Sequence, residues 1–142
     1  MREGVSRARL RPDNEERFQP LRRELEASAF GLNQIVLRPG QRGRIHRHER
    51  QEEVYLVLDG ALTLLLGPDE ELTLERGELI RIAPDVRRQL VNRGPATLVI
   101  LAIGGAGEHQ GRDGEAFTSW EQEQGASPQE VPNPQDLPTA GA

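Results

Sequence analysis

The stretch that decides the fold is Gly40-Gln-Arg-Gly-Arg-Ile-His46-Arg-His48-Glu-Arg-Gln-Glu-Glu53-Val-Tyr-Leu-Val-Leu-Asp-Gly60. It contains two histidines separated by one residue, then a glutamate, with a glycine at either end. Imidazole and carboxylate groups are common ligands of catalytic divalent metals. If His46 and His48 lie on one strand, the two-residue period of the strand directs both rings to the same face. A neighbouring strand that starts near Glu53 would bring a carboxylate beside them.

The register of that second strand decides which glutamate faces inward. A slip of one residue exchanges the two faces of a strand, so Glu52 competes with Glu53 for the inward position. We take Glu53 as the metal-ligand candidate. Tyr55 lies two residues further on and therefore shares the face of Glu53. It is a candidate hydrogen-bonding residue of a pocket, or else part of the core.

Short strand-like segments surround this stretch, separated by turn residues. They cover residues 29–37, 44–48, 54–58, 61–66, 71–74, 79–82, 89–92 and 97–103. Asp59-Gly60, between two apolar runs, predicts a tight hairpin. The largely apolar run 62–66 indicates burial on both faces and hence two packed sheets. The pattern predicts an all-β antiparallel sandwich or barrel.

Composition points to one soluble domain. The chain has 142 residues, 35% of them hydrophobic and 29% charged, and no cysteine. Disulfides, thiolate catalysis and sulfur-ligated zinc are therefore excluded. We find no apolar run long enough to span a membrane and no secretory signal, so we expect a cytoplasmic protein.

All eighteen basic residues are arginine, and the net charge is -5. Arginine suits carboxylate and phosphate ligands, but a compositional bias produces the same enrichment. Stacking aromatic residues and a recognition-helix pattern are missing, which argues against nucleic-acid binding.

Both ends are less regular. Residues 1–28 indicate an arm or an edge segment, and Pro20 argues against a helix interior there. Residues 105–142 are expected to form a glycine-rich loop, a short helix over 115–124 and a proline-rich tail. His109 lies in the loop and could act as a lid or a substitute ligand, or could simply face solvent. The tail is either passive or docks on a second subunit.

The quoted stretch resembles the first motif of the cupin superfamily of small jelly-roll barrels. That motif is a glycine, five residues, His-x-His, three or four residues, a glutamate, six residues and a glycine. All five positions match, at Gly40, His46, His48, Glu53 and Gly60. The resemblance covers residues 30–103 and implies a double-stranded β-helix, a homodimer and a pocket inside the barrel. In the pocket, His46, His48 and Glu53 would hold a divalent metal ion such as Fe, Mn, Ni or Zn.

The second motif of the family departs at its histidine, the fourth metal ligand. The stretch here runs Gly77-Glu-Leu-Ile-Arg-Ile-Ala-Pro84-Asp-Val-Arg-Arg88-Gln89-Leu-Val-Asn92. With Gly77 and Asn92 as anchors the fourth ligand falls on Arg88, and with Pro84 as anchor it falls on Gln89. Arginine stays protonated and does not ligate a cation, whereas a glutamine could offer its carbonyl oxygen.

Two outcomes follow if Arg88 occupies the ligand position. In the first, the three remaining ligands still hold a metal, and Arg88 turns aside or binds an anionic ligand. In the second, Arg88 pairs with Glu53 and replaces the charge of the metal. Asn33 and Gln34, on the strand at 29–37, are further polar pocket candidates, or else face solvent.

Two kinds of function follow from the resemblance. The protein could be a metal-dependent oxygenase, isomerase or lyase that acts on a small polar or anionic molecule. Alternatively, it could be a non-catalytic binding or sensory cupin with a metal-free pocket in which Arg88 pairs with Glu53.

Overall fold

The computed structural model describes residues 2–105 and 113–138. Their elements, in chain order, are β1 (Phe18–Gln19), α1 (Leu21–Leu25), β2 (Gly31–Leu37), β3 (Ile45–His48), β4 (Glu52–Asp59), β5 (Ala61–Gly67), β6 (Glu70–Glu75), β7 (Leu79–Ile82), β8 (Gln89–Val91), β9 (Leu98–Gly105), β10 (Gly114–Phe117) and a 3-10 turn (Pro128–Glu130). In these residues, no helix has the length and apolar character needed to cross a membrane.

The strands form two antiparallel layers. One is a five-stranded sheet in the order β1-β2-β9-β4-β7. The other combines the sheet β6-β5-β8 with the pair β10-β3, which are joined by single bridges between His46 and Arg88 and between Arg42 and Val91. The two layers enclose one apolar core, so the predicted all-β jelly-roll barrel is confirmed.

The middle of the second layer shows why the sequence folds in this way. Leu62 and Leu64 on β5 are fully buried in the core, and Thr63 between them is buried on the other face. Burial of a leucine side chain contributes about 1.5–3 kcal/mol. The hairpin at Asp59-Gly60 joins β4 to β5, and Gly60 has a φ of +76°. An added Cβ there would lie 2.5 Å from the carbonyl oxygen of Thr97, so only glycine fits.

The N-terminal segment was predicted to be extended, which is right only for β1. The chain then forms the five-residue helix α1, and Pro20 immediately precedes this helix. Proline disrupts a helix interior but is tolerated where a helix begins, because the first amide groups need no partner within the helix. β1 pairs with β2 at the edge of the five-stranded sheet, so the segment belongs to the barrel wall.

The predicted C-terminal helix over residues 115–124 is wrong. Its first residues form β10, which pairs with β3 from Gly114 opposite His48 to Phe117 opposite Ile45. Phe117 is buried, and the guanidinium group of Arg87 lies 3.6 Å from the centre of its ring. The open edge of β3 overrides the weak local helix preference, because pairing satisfies backbone groups of both strands.

The proline-rich tail lies against its own barrel. Val131 is buried, the amide of Leu137 donates to the Gly40 carbonyl at 2.7 Å, and Arg42 Nε donates to the Gln135 carbonyl at 2.8 Å. The glycine-rich loop that carries His109 falls outside the described residues, and its proposed role as a lid stays a prediction. The division of the chain at residues 28/29 and 104/105 also stays a prediction.

Candidate metal and ligand site

A cavity of about 210 Å³ opens between the two layers. Its wall is largely apolar and includes Ile35, Leu37, Leu90 and Ala102. Pockets for drug-sized ligands span about 300–1,000 Å³, so this cavity suits a smaller molecule.

Polar side chains enter the cavity from three strands. His46 and His48 come from β3, Glu53 and Tyr55 from β4, and Asn33 from β2. As predicted from the two-residue period, the members of each pair share a face. The second layer thus supplies the imidazoles, and the five-stranded sheet supplies the carboxylate and the phenol.

The first two residues of β4, Glu52 and Glu53, face opposite sides of the sheet. Glu53 points into the cavity, whereas Glu52 lies on the outer face and pairs with the exposed Arg81. The side chain of Glu52 is 51% exposed and that of Glu53 is 14% exposed. Only Glu53 can therefore act with the two histidines.

The two imidazoles and the carboxylate converge on one point. His46 Nε2 lies 3.4 Å and His48 Nε2 lies 3.2 Å from Glu53 Oε1. The rings stand edge to face with their centres 5.3 Å apart. One ligand atom of each residue falls within 4.8 Å of those of the other two.

The outer nitrogen of each ring faces an acceptor. His48 Nδ1 lies 2.7 Å from Asp113 Oδ1, and His46 Nδ1 lies 3.3 Å from the carbonyl oxygen of Arg44. A neutral ring that donates through Nδ1 keeps its lone pair on Nε2. In that tautomer both Nε2 lone pairs face Glu53 Oε1 and are available to a cation, whereas a ring protonated at Nε2 donates to Glu53 instead.

The spacing of these atoms fits a metal ion. Zinc binds imidazole nitrogen and carboxylate oxygen at about 2.0–2.2 Å, which places neighbouring ligand atoms about 3.0–3.4 Å apart. The two nitrogen-to-oxygen distances at Glu53 agree with that range. The carboxylate of Asp113 behind His48 matches the outer support that metal-bound histidines commonly have. His46, His48 and Glu53 therefore form a suitable donor set.

Arg88 occupies the position next to this set. Its backbone pairs with that of His46 through two hydrogen bonds of 2.9 Å, so both side chains leave the bridge on the cavity side. Arg88 Nη2 donates to Glu53 Oε1 at 2.5 Å, and Nη1 donates to the carbonyl of Val86 at 2.7 Å. The side chain is completely buried. The expectation that Arg88 could turn aside is thus not met, because it contacts Glu53 directly.

Gln89 and Gln34 both lie away from the cavity. Gln89 follows Arg88 and faces the opposite way, donating to the Gly43 carbonyl at 3.0 Å. Gln34 is buried behind β2, where it donates to the side chain of Gln19 at 3.1 Å and to the Arg11 carbonyl at 2.8 Å. Their assignment as pocket residues is corrected: an alternating strand can present only one residue of each adjacent pair.

Electrostatic effects favour the ionised form of Glu53 and the protonated forms of His48 and Tyr55. Burial would raise the pKa of Glu53, but hydrogen bonds from His46 and His48 outweigh it and hold the pKa well below its usual value. Burial likewise lowers the pKa of His48, but hydrogen bonds to Glu53 and Asp113 outweigh it and raise the pKa. Tyr55 donates to Glu53 Oε1 at 2.8 Å, and burial together with that carboxylate raises its pKa well above the usual value.

Asp113 is a site residue that no sequence signal identified. Besides His48, its carboxylate accepts hydrogen bonds from the backbone amides of Arg50 and Gln51 at 2.9 and 2.8 Å. It lies 65 positions from His48 in the chain. Only the pairing of β10 with β3 brings it there, so local pattern could not reveal it.

An antiparallel jelly-roll barrel with a histidine- and glutamate-lined cavity defines a cupin-type protein. A family model described as the cupin domain matches residues 33–104, and the chain belongs to the cupin family. The predicted membership is therefore confirmed. A comparison with curated proteins finds no significant match.

Several solved structures are similar. A sugar phosphate isomerase of the cupin superfamily from Silicibacter pomeroyi shares 27% identity at a TM-score of 0.60, covering 71% of this chain and 64% of its own. This chain thus spans somewhat less than two thirds of that protein. A cupin protein from Bacteroides fragilis shares 21% identity at a TM-score of 0.64, covering 85% of this chain and 97% of its own.

The cupin domain of an XRE-family transcriptional regulator from Enterobacter cloacae shares 24% identity at a TM-score of 0.55, covering 62% of this chain and 93% of its own. The likenesses to the proteins from Bacteroides and Enterobacter establish the fold alone.

Proposed function

We propose that this cupin binds a divalent metal ion through His46, His48 and Glu53 and holds a small polar or anionic molecule in the adjoining cavity. The observation that carries the proposal is the convergence of two imidazole Nε2 atoms on one carboxylate oxygen at 3.2 and 3.4 Å. When bound, the metal supplies Lewis-acid chemistry by polarising an oxygen atom of the substrate.

The surrounding residues hold the three ligands in place. Asp113 orients His48 through Nδ1, and Tyr55 and Arg88 both donate to Glu53 Oε1. Carboxylates held in this way lose little conformational freedom when a ligand binds. Arg88 also brings a positive charge close to the metal position, so we expect weaker metal binding than in a barrel with four ligands.

Isomerisation of a phosphorylated sugar is the reaction that we propose to test first, ahead of lyase or oxygenase chemistry. The likeness to the Silicibacter pomeroyi protein, described as a sugar phosphate isomerase, supports this choice. The proposal includes a cytoplasmic homodimer that does not bind nucleic acid. The net charge of -5 supports the last of these features.

The contact between Arg88 and Glu53 favours a second candidate function. A buried guanidinium group that donates to the carboxylate at 2.5 Å already supplies a cation to Glu53. In that case the barrel is a metal-free binding or sensory module. The two candidates differ in one measurable property, the metal content.

The test is metal analysis of protein purified without a histidine tag and equilibrated separately with micromolar Mn, Fe, Ni or Zn. We expect close to one bound ion per chain for at least one metal, and loss of that ion in His46→Ala and His48→Ala. The matched control is Arg47→Ala, because Arg47 lies between the histidines on the outer face and pairs with Glu115. Substoichiometric metal in the wild-type protein would support the metal-free candidate.

A further inference from the structure

Two arginines line the same cavity and take no part in the metal cluster. Arg44 precedes His46 by two residues, so its side chain leaves the chain on the same face as both histidines. At a rise of about 3.4 Å per residue, the Cα atoms of Arg44 and His46 are about 7 Å apart. Arg17 reaches the cavity from the start of the opposite sheet, next to the half-exposed Phe18.

Both guanidinium groups are held in place by neutral acceptors. Arg44 Nε donates to the Val131 carbonyl at 2.5 Å, and Arg17 Nη1 donates to the Arg42 carbonyl at 2.9 Å. Within residues 2–105 and 113–138, the terminal nitrogens of Arg44 have no hydrogen-bond partner. The nearest carboxylate to Arg17 is that of Asp136 at 3.8 Å, which is too far for a hydrogen bond and is 58% exposed.

The charges of the cavity wall do not balance. Apart from the histidines, its charged residues are Arg17, Arg44 and Glu53, and Glu53 is already paired with the buried Arg88. A backbone carbonyl satisfies one N–H group but does not neutralise a guanidinium charge. If these side chains served only to hold the chain, a neutral amide donor could make the same hydrogen bonds. Arg17 has only the exposed Asp136 at 3.8 Å as a counter-charge, and among the described residues no carboxylate lies within ion-pair distance of Arg44, so this part of the wall favours an anion.

We propose that Arg44 and Arg17 form an oxyanion subsite of the cavity. This subsite takes the carboxylate or phosphate group of the same small molecule whose other end approaches His46, His48 and Glu53. Arg44 provides its two terminal nitrogens, whose planar arrangement suits two oxygens of one oxyanion. The placement of the other end of the molecule beside His46, His48 and Glu53 rests on the proposed function. The oxyanion subsite itself requires only the two arginines.

The test measures anion binding to chelator-treated, metal-free protein by isothermal titration calorimetry at low ionic strength. The probes are inorganic phosphate and acetate in separate titrations. We expect Arg44→Gln to weaken binding of the preferred probe at least about tenfold, because a charge-assisted hydrogen bond is lost. Glutamine can still donate to Val131, so the fold is retained. Arg17→Gln should weaken binding as well, and Arg44→Lys should bind with intermediate affinity because it keeps the charge.

Arg47→Gln is the matched control, since Arg47 lies on the same strand but on its outer face, where it pairs with Glu115. It should bind the probe within about twofold of the wild-type protein. Preference for phosphate or for acetate identifies the anionic group. Equal binding by wild-type and Arg44→Gln protein, an equal loss in Arg47→Gln, or no binding of either probe would overturn the subsite.

Metal content of Arg44→Gln, measured in parallel, separates the two proposals. Its metal stoichiometry should equal that of the wild-type protein, because the variant keeps the backbone carbonyl that faces His46 Nδ1. If the wild-type protein binds the anion but takes up no metal in the metal analysis, the metal site is refuted and the subsite is supported. If the wild-type protein binds metal but Arg44→Gln leaves the anion affinity unchanged, only the subsite is refuted.

Discussion

Replacing Arg88 with histidine tests the role of this residue at the metal site directly. Arg88 lies across the strand bridge from His46, and its Nη2 contacts Glu53 Oε1 at 2.5 Å. Histidine at this position would remove a positive charge and supply a third imidazole. We therefore expect Arg88→His to bind divalent metal more tightly than the wild-type protein.

The magnitude follows from the geometry. An ion bound to Oε1 at about 2.1 Å lies no more than about 4.6 Å from Arg88 Nη2. Even with the dielectric constant of water, a divalent cation and a guanidinium at that separation repel each other by roughly 2 kcal/mol. Removing this repulsion alone tightens binding by a factor of about 20 to 30, and the added ligand increases the gain.

The assay is competition for Zn²⁺ with a chromophoric chelator, using tag-free protein. Arg88→Leu separates the two contributions, because it removes the charge without adding a ligand. Arg81→His serves as the control, since Arg81 is exposed and pairs with Glu52 outside the cavity. Metal affinity of Arg88→His equal to that of the wild-type protein would refute the assignment of Arg88 to the ligand position.

Arg88→His should also lower the free energy of unfolding, which is measured together with the metal affinity. Arg88 Nη1 donates to the carbonyls of Val86 and Pro84 at 2.7 and 3.2 Å, and histidine cannot replace both bonds. A buried acceptor left without its partner costs about 1–3 kcal/mol. Thermal unfolding with and without metal distinguishes this loss from the gain in binding, because only the metal-bound form recovers stability.

Two further predictions follow from other contacts. Asp113→Asn should weaken metal binding by about 10- to 100-fold, because the carboxylate that orients His48 is replaced by a neutral amide. Competition with a chelator measures the metal affinity, and an unchanged affinity would show that the contact between Asp113 and His48 is dispensable. Gly60→Ala should destabilise the chain by about 2 kcal/mol or more, because its φ is +76° and a Cβ would lie 2.5 Å from a backbone oxygen. Gly67→Ala, with open space around it, should unfold at nearly the wild-type temperature, and equal effects of the two substitutions would contradict the strain at Gly60.

Much of the barrel was predictable because its signals are local. Alternation of side chains and turn residues placed the strands within a few residues of their observed bounds, as at Leu79–Ile82. The spacing of His46 and His48 likewise predicted a shared face, since a strand has a two-residue period whatever its partners are. The C-terminal helix was wrong because pairing with β3 is a long-range effect, which local helix preference cannot anticipate.

The site was predictable only in part. Alternation shows that Asn33 and Gln34 face opposite ways, but not which of them faces the cavity. The structure places Asn33 in the wall and Gln34 behind it, against Gln19. Asp113 gave no signal at all, because an isolated aspartate acquires a role only from the residues that the fold brings to it.

By itself, the sequence determined the class of barrel, the strand that carries His46 and His48, and the chemistry that their spacing allows. Only the tertiary structure decided that Glu53 rather than Glu52 joins them, and that Arg88 rather than Gln89 contacts Glu53. The reason is physical. Local pattern sets which residues share a face, whereas the partner across a sheet depends on register between distant segments. For this protein, that register places a guanidinium beside the candidate metal ligands.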